Sequence, residues 1–244
     1  MKLSIVIPVY NEKGTLEELL RRVAAVDLPK QVVIVDDAST DGTRDRIRRL
    51  EEDFRARGPA ALGLEGPLAP IEMTFAYQPV NRGKGAAVRE GIAQTTGDVV
   101  LVQDADLEYD PADYPALVAP IAEGRADVVY GSRHRSGDLR RAYPASYLAN
   151  RILTFVSNRF TGLRLTDMET CYKVLRGDIA RSLKLSAERF GFDPEITAKI
   201  ARGRWRLVEV PVSYRGRSYA EGKKIRWRDG LVVLSTIVRY SRGE

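Results

Sequence analysis

The sequence predicts an α/β protein with a Rossmann-like, mostly parallel central sheet and helices on both of its faces. Two observations predict it. Short apolar runs alternate along the chain with segments of helical periodicity. The runs at 3–10, 32–37 and 99–104 also end in, or are followed by, polar and acidic residues. Because the carboxyl ends of parallel strands meet at one edge of a sheet, we expect a rim of carboxylates there.

Composition narrows the protein class. The chain has 244 residues, 44% hydrophobic and 30% charged, which suits one globular domain. A net charge of +6 favours an anionic partner: a nucleotide, phosphate, nucleic acid or membrane surface.

With Cys171 as the only cysteine and His134 as the only histidine, disulfides and Ser-His, Cys-His or multi-His zinc sites are set aside. No segment resembles a membrane span or a signal peptide, so we expect a cytoplasmic protein that can sit peripherally on the membrane's cytoplasmic face.

The first half of the chain alternates strands with helices. The apolar face of helix 14–26 carries Leu16, Leu19, Leu20 and Val23. The second helix spans 41–54, with Ser39 or Asp41 as its cap, and the Gly/Pro-rich segment 58–70 is predicted as a loop. The predicted strands are 3–10, 32–37, 73–78, 99–104 and 126–132, and a loop leading into a helix fills 81–97.

The pattern changes after residue 133. A basic loop spans 133–144, and the segments that follow are predicted as helix 145–163, strand 170–175, helix 191–203, strand 205–215, loop 218–224 and helix 226–240. Helix 145–163 and the last helix are amphipathic. Such helices lie in a membrane interface, pack on a core or form a dimer contact, and the sequence leaves these alternatives open.

The fourth strand ends in the carboxylates Asp104, Asp106 and Glu108, each two residues from the next. Carboxylates at one strand end repel each other, and a Mg²⁺ or Mn²⁺ ion relieves that repulsion by taking their oxygens as ligands. The alternative is that the aspartates cap the following helix. The acidic ends of the neighbouring strands, at 11–12 and 36–37, favour the metal.

The segment NRGKGAAV at 81–88 combines Gly83 and Gly85, which permit close backbone approach, with the charge of Lys84. It is neither a Walker A loop nor a dinucleotide fingerprint. Two interpretations remain: a plain helix N-terminus, or a loop beside the diphosphate or base of a nucleotide.

Four ordered blocks within residues 5–106, IVIPVYNE, VVIVDDASTDGT, NRGKGAAVREG and VQDAD, together resemble a family 2 glycosyltransferase with the GT-A fold. VVYGSR, DMETCYKVLR, RFGFDPEITAKIA and VEVPVSYRGRSYAEGKK are similar to polyprenyl-phosphate sugar synthases of the dolichyl-phosphate mannose and glucose type. The resemblance implies one GT-A domain over 1–244, with a nucleotide-sugar-binding half at 1–132 and an acceptor-binding half at 133–244.

The resemblance also implies site residues. It places the nucleotide sugar on Pro8, Tyr10, Asn11, Glu12, Asp37, Gly83, Lys84, Asp104 and Arg217. It places Mg²⁺ or Mn²⁺ on Asp104, Asp106 and Glu108, the last standing where mannose synthases often have Gln. For the acceptor phosphate it implies Arg133, with Arg140, Arg141, Arg151 or Lys223 as further candidates, and it places Lys223 or Lys224 near Arg217 and the donor phosphates. Tyr147 stands where those synthases tend to have a second acceptor arginine. The residues expected to carry catalysis are Asp106, Arg133, Asp167 and Arg217.

The expected reaction is inverting transfer of a hexose, from UDP-glucose or GDP-mannose, to a polyprenyl phosphate. A lipid phosphate is already anionic at neutral pH and needs no general base. A hydroxyl acceptor would need one, and Asp167 or Glu169 is then the candidate. The alternative is that these carboxylates are structural and pin the loop before TCYK. The rivals are a transferase acting on a soluble hydroxyl acceptor or polysaccharide, and a non-catalytic sugar-nucleotide-binding subunit. Nucleic-acid binding ranks last, because the acidic rim would repel a phosphate backbone. A homo-oligomer is left open.

Overall fold

The computed structural model describes residues 1–63, 68–135, 144–189, 191–217 and 227–241. Its strands are Leu3–Val9 (β1), Lys30–Asp36 (β2), Ile71–Tyr77 (β3), Val99–Val102 (β4), Val128–Ser132 (β5), Lys173–Arg176 (β6) and Leu207–Pro211 (β7). Its helices are Leu16–Ala25 (α1), Thr43–Arg57 (α2), Lys84–Ala93 (α3), Tyr114–Ala122 (α4), Pro144–Thr161 (α5), Gly177–Ser182 (α6), Phe192–Gly203 (α7) and Trp227–Ser241 (α8).

Within these residues the strands form one sheet in the order β3-β2-β1-β4-β6-β5-β7. Four of the six strand pairings are parallel, and β6 runs antiparallel to both of its neighbours, β4 and β5. The prediction of a mostly parallel α/β sheet is therefore confirmed. The reversed β6 was not predicted, because nothing in the four residues of this strand, KVLR, indicates its direction.

The register brings the acidic strand ends together. Val9 at the end of β1 pairs with Asp36 at the end of β2, and the last residue of β4, Val102, pairs with Val6. The backbone N–H of Gln103 then donates to the Val6 carbonyl at 2.9 Å, so the chain after β4 continues along β1. The segments that follow these three strands consequently emerge side by side, as the sequence predicts.

The core explains the apolar strand patterns. Every residue of β2 is buried, as is nearly all of β1, because helices cover both sheet faces. Helix α1 buries the predicted face of Leu16, Leu19, Leu20 and Val23. The strands that support the rim are thus held on both sides.

Among the differences from the predictions are two helices and a 3₁₀ turn that the sequence did not indicate. Helix α4 was missed because Pro115 and Pro120 interrupt its pattern, although Pro115 lies in the first turn, where proline is tolerated. Helix α6 has six residues, too few for a clear periodicity. The predicted loop 58–70 contains the 3₁₀ turn Gly58–Leu62. None of the three carries a predicted site residue.

Helix α5 has an inverted pattern of burial. Thr154 and Ser157 are buried, whereas Leu148, Ile152 and Phe155 are 61%, 53% and 71% exposed. These three side chains recur at helical spacing and form one strip, which we name the α5 apolar stripe. On the buried side the Thr154 hydroxyl accepts the backbone N–H of Met168 at 3.0 Å. No described helix is long and apolar enough to cross a membrane.

Candidate active site

Hydrogen bonds with buried side chains hold the carboxylate segment after β4 in place. The side-chain carbonyl of Gln103 accepts hydrogen bonds from the hydroxyls of Tyr114 and Tyr172, at 2.7 and 2.8 Å. The backbone N–H of Asp104 donates to the Cys171 sulfur at 3.1 Å. Leu107 adopts a left-handed φ of 61°, which turns the chain between Asp106 and Glu108. The segment that bears the three carboxylates is therefore a fixed turn.

Both predicted metal aspartates face a cationic side chain. Lys84 Nζ lies 2.8 Å from Asp104 Oδ1 and 2.9 Å from Oδ2. The Arg217 guanidinium donates to Asp106 Oδ2 at 3.1 Å and to both carboxylate oxygens of Glu12 at 3.2 Å. Two predicted nucleotide-binding cations and the carboxylates thus form one charged cluster.

The cluster shifts the pKa values of its members. Burial favours the neutral form of Asp106, and the nearby Asp104 and Glu108 charges add to this, raising the Asp106 pKa to about 7. Burial also opposes ionisation of Asp104, but the charge and hydrogen bond of Lys84, together with smaller effects of Cys171 and Lys173, hold the pKa of Asp104 below its usual value. The negative charges of the rim therefore favour the binding of cations.

The carboxylates of Asp104 and Asp106 suit a hard divalent cation, but only as part of its ligand set. Among the described residues, no group of three His, Cys, Asp or Glu side chains is arranged to hold a metal ion. Glu108, the predicted third ligand, uses both oxygens elsewhere: Oε1 accepts the backbone N–H of Arg217 and Oε2 accepts the Tyr214 hydroxyl, each at 2.8 Å. Asp104 and Asp106 offer carboxylate oxygens, so water and phosphate oxygens would have to complete the shell.

Asp37, predicted to contact a nucleoside, holds the loop that precedes α3. Its oxygens accept the backbone N–H groups of Arg82 and Gly83, at 2.8 and 2.7 Å, and the side chain of Asn81 at 2.9 Å. Burial raises the pKa of Asp37. The structure thus joins Asp37 and Gly83, two predicted nucleotide residues, through direct hydrogen bonds.

The end of β1 carries the other predicted nucleoside contacts. Pro8 is half-buried, and Tyr10 is 36% exposed at the rim. Asn11 has a left-handed φ of 53°, with its backbone N–H donating to Ser39 Oγ at 3.0 Å. This turn brings Glu12 beneath Arg217, so β1 reaches the cluster directly.

Gly83 and Gly85 are needed for a chain contact that the sequence did not indicate. Gly83 has φ +92°, and a Cβ there would lie 2.8 Å from the Glu188 carbonyl. A Cβ on Gly85 would lie 2.3 Å from the Ala187 carbonyl oxygen. In the structure these glycines make a close backbone approach to the segment before α7, whereas the sequence predicted a close approach to a ligand.

On the other side of the rim, Arg133 forms a buried ion pair with Asp167. Arg133 Nε and Nη2 each donate to one Asp167 oxygen at 2.7 Å, and the Arg133 backbone N–H adds a bond of 3.0 Å. Burial opposes the charge of Asp167, but Arg133 outweighs it and lowers the pKa of Asp167. The Arg133 guanidinium also lies 5.2 Å from the centre of the Tyr214 ring.

The other predicted acceptor residues are dispersed or lie outside the described residues. Arg151 is exposed on α5. Tyr147 packs against His134, with ring centres 4.8 Å apart. Arg140, Arg141, Lys223 and Lys224 lie outside the described residues. Arg133 is thus the predicted acceptor cation that the structure places at the rim.

Glu169, the alternative candidate base, has a buried carboxyl group with a raised pKa. Within the described residues its Oε1 atom is buried and has no hydrogen-bond partner. Burial, reinforced by the charge of Asp193, raises the Glu169 pKa to about 8. At neutral pH most of this carboxyl is protonated.

With this geometry established, the chain was compared with known proteins. The model of the family described as Glycosyl transferase family 2 matches residues 4–183, which is most of the chain. The chain belongs to glycosyl transferase family 2. The resemblance predicted from the sequence blocks is therefore confirmed.

Relatives of this family 2 glycosyltransferase chain include proteins that act on prenyl phosphates. It is 33% identical over 226 residues to the undecaprenyl-phosphate 4-deoxy-4-formamido-L-arabinose transferase of Klebsiella pneumoniae. It is 29% identical over 229 residues to the dodecaprenyl-phosphate galacturonate synthase of Rhizobium johnstonii. Each alignment covers 91% of this chain and 62% of the relative, so the chain spans less than two thirds of these proteins' length.

Solved structures confirm the GT-A fold. Glucosyl-3-phosphoglycerate synthase from Mycobacterium tuberculosis, in complex with Mn²⁺, UDP and phosphoglyceric acid, matches with a TM-score of 0.69 and 21% identity. That match covers 98% of this chain and 78% of the synthase. TarS residues 1–349 from S. aureus, in complex with UDP-GlcNAc, match with a TM-score of 0.58 and 20% identity, covering 98% and 66%.

Two tyrosines of this family 2 chain lie in the site although the sequence did not single them out. Tyr109 and Tyr214 form an isolated β-bridge, and their ring centres are 5.2 Å apart. Strand 205–215 was predicted as continuous, whereas β7 ends at Pro211 and Tyr214 lies beyond it. Apolar residues continue to alternate past Pro211, so the sequence pattern does not indicate that the strand ends there.

Proposed function

We propose that this chain transfers a sugar from a nucleoside diphosphate sugar to a polyprenyl phosphate, with a divalent cation and inversion at the anomeric carbon. The observation that carries the proposal is the presence of cationic side chains on two opposite sides of one rim. Lys84 and Arg217 face Asp104 and Asp106 on one side, and Arg133 lies on the other. The named activities of the prenyl-phosphate relatives support the acceptor class.

On the donor side, the diphosphate takes the place of the carboxylates as the partner of Lys84 and Arg217. A divalent cation held by Asp104 and Asp106 supplies further charge neutralisation at the diphosphate leaving group. Lys84 and Arg217 are already at the rim and partly desolvated, so little reorganisation is needed to stabilise the leaving group.

On the acceptor side, the state of the two candidate bases favours a phosphate over a hydroxyl. Asp167 is tied to Arg133, which lowers its pKa, and Glu169 is mainly protonated at neutral pH. Neither is suited to remove a proton from a sugar hydroxyl. A phosphate monoester has a second pKa of about 6 and needs no such base. Arg133 then orients the acceptor phosphate for attack on the anomeric carbon.

The relatives differ in the sugar that their names give, so the donor is the least constrained part of the proposal. UDP-glucose and GDP-mannose are the first donors to test, followed by nucleoside diphosphate forms of the two relatives' sugars. We assign the nucleotide sugar to residues 1–132 together with Arg217, and the acceptor to the rest of residues 133–244.

The lipid end of the acceptor calls for a membrane surface, and the α5 apolar stripe suits that role. Arg151, Arg159 and Arg164 are exposed on or just after the same helix, so charge complementarity favours an anionic lipid surface. The start of this helix lies near Arg133, the proposed acceptor arginine, because Tyr147 of the helix packs on His134, the next residue after Arg133. We propose peripheral attachment through this face.

Vesicle binding tests the attachment. Replacing Leu148, Ile152 and Phe155 together by Ser should abolish co-sedimentation with phosphatidylglycerol vesicles, whereas wild-type protein should co-sediment with these vesicles better than with phosphatidylcholine ones. Because all three side chains are largely exposed, the thermal unfolding of the variant should match that of the wild type. Equal vesicle binding by both proteins would overturn the proposed surface.

The reaction is tested by transfer of radiolabelled sugar into butanol-extractable lipid, using a short polyprenyl phosphate, Mg²⁺ or Mn²⁺ and a panel of nucleotide sugars. Asp106→Ala should abolish the lipid label, and Asp53→Ala, an exposed carboxylate on α2, should leave it unchanged. Label in a soluble acceptor would favour the hydroxyl-acceptor transferase. Donor binding without any turnover would favour a non-catalytic sugar-nucleotide-binding subunit.

A further inference from the structure

Glu108 is fully engaged with the segment that carries Arg217. Its side chain accepts the Arg217 backbone N–H and the Tyr214 hydroxyl, each at 2.8 Å. Its backbone carbonyl accepts the N–H of Arg215, also at 2.8 Å. Three hydrogen bonds therefore join one residue of the carboxylate turn to residues 214–217.

The result of this attachment is the position of the Arg217 guanidinium. With its backbone fixed on Glu108, the Arg217 side chain reaches Asp106 at 3.1 Å and Glu12 at 3.2 Å. Arginine has a long, flexible side chain, and fixing its backbone removes part of the entropy cost of holding the charged end at the rim.

Tyr214 also reaches the acceptor side of the rim. Its ring lies 5.2 Å from the Arg133 guanidinium and 5.2 Å from the ring of Tyr109. One tyrosine thus has its hydroxyl on the donor-side carboxylate and its face against the acceptor arginine.

We propose that Glu108 and Tyr214 form a positioning pair that fixes the position of the Arg217 guanidinium relative to that of Arg133. In this assignment, which rests on the function proposed above, Glu108 acts through Arg217 rather than as a metal ligand. The two roles predict different effects of substitution, because a metal ligand contributes directly to Mn²⁺ affinity, whereas the hydrogen bonds that the Glu108 oxygens accept from Arg217 and Tyr214 act on the position of Arg217.

Amide hydrogen exchange and calorimetry separate the two roles. Tyr214→Phe removes only the hydroxyl, and Glu108→Gln removes the charge. Tyr77→Phe is the matched control, since it deletes a 2.7 Å tyrosine–glutamate hydrogen bond, to Glu51, on the edge strand β3. The measurements are exchange at the Arg217 amide, Mn²⁺ affinity, and the affinity for UDP and GDP in the presence of Mn²⁺.

Tyr214→Phe and Glu108→Gln should each speed exchange at the Arg217 amide and weaken nucleoside diphosphate binding about tenfold. Their effects should not add in the double variant, because they act on one interaction. Mn²⁺ affinity in the absence of nucleotide should stay unchanged in Tyr214→Phe, which leaves every charge of the rim in place. In transfer assays, Tyr214→Phe should raise the donor KM alone, whereas Tyr214→Leu should raise the acceptor KM as well.

Weakened Mn²⁺ binding by Glu108→Gln, together with wild-type behaviour of Tyr214→Phe, would overturn the proposal and make Glu108 a metal ligand. Effects no larger than those of Tyr77→Phe would also overturn it. Neither exchange nor calorimetry requires turnover. A wild-type protein that transfers no sugar would therefore refute the proposed function while the positioning pair is still judged by these two readouts.

Discussion

Arg133 donates to both carboxylate oxygens of Asp167, at 2.7 Å each, with the two side chains 9% and 0% exposed. A buried pair of this kind is costly to break from one side, because the remaining charge loses its partner without regaining water. Asp167 therefore belongs with the residues that position Arg133, although the sequence also suggested it as a base.

Replacing Asp167 by Asn should destabilise the protein by about 3 kcal/mol, since the buried Arg133 charge then has no counter-charge. Urea unfolding measures this. Asp178→Asn, which breaks an exposed pair with Arg176, is the control and should unfold at the wild-type urea concentration. Equal midpoints for all three proteins would contradict the prediction.

Removing the Arg217 charge should affect metal and nucleotide in opposite directions. Arg217→Met frees Asp106 from its cation, so the affinity for Mn²⁺ alone should rise about three- to tenfold. The affinity for UDP or GDP should fall, because a phosphate partner is lost. Electron paramagnetic resonance of unbound Mn²⁺ gives the first quantity and calorimetry gives the second.

Arg215→Met is the matched control for this experiment, because Arg215 is exposed two residues away and carries the same charge. It should change neither affinity. A lower Mn²⁺ affinity in Arg217→Met would mean that Arg217 organises the carboxylates rather than competing for them.

Stability should depend on pH through Glu169. Its pKa is about 8 in the folded protein and near 4.5 otherwise, so the folded state binds the proton more tightly. That contribution to stability is complete below pH 4.5 and is lost as pH rises to about 8. Glu169→Gln cannot ionise and should gain at least about 1 kcal/mol on the wild type between pH 5 and pH 8.5.

Urea unfolding at several pH values tests this dependence, with the exposed Glu123→Gln as control. The control should follow the wild-type pH profile. Parallel profiles for wild type and Glu169→Gln would show that Glu169 titrates normally.

A methyl group on Gly85 should disrupt the contact between the loop before α3 and the segment before α7. Its Cβ would meet the Ala187 carbonyl oxygen at 2.3 Å, so Gly85→Ala should cost about 1–3 kcal/mol in urea unfolding. Gly14→Ala is the control, because nothing lies within 4 Å of a Cβ there. Similar stability of the two variants would contradict the close approach.

Sequence reasoning succeeded in placing a residue where its position is set by the end of a strand. Asp37, Asp104 and Asp106 follow buried apolar runs, and parallel register then brings them to one edge. It failed where a role depends on contacts between distant segments. The partners of Glu108 and Gly85 lie about a hundred residues away along the chain, at Tyr214 and Ala187, and no local pattern encodes them.

The reversed strand β6 has a consequence for how such a site can diversify. Because β6 runs against its neighbours, it starts at the edge where β5 ends, with Lys173 paired to Tyr130. The loop that enters it, which carries Asp167 and Glu169, therefore arrives among residues that follow strand ends. Under the proposed function, exchange of this one loop between α5 and β6 changes the acceptor side, while the strands that carry the predicted nucleotide residues keep their order and register.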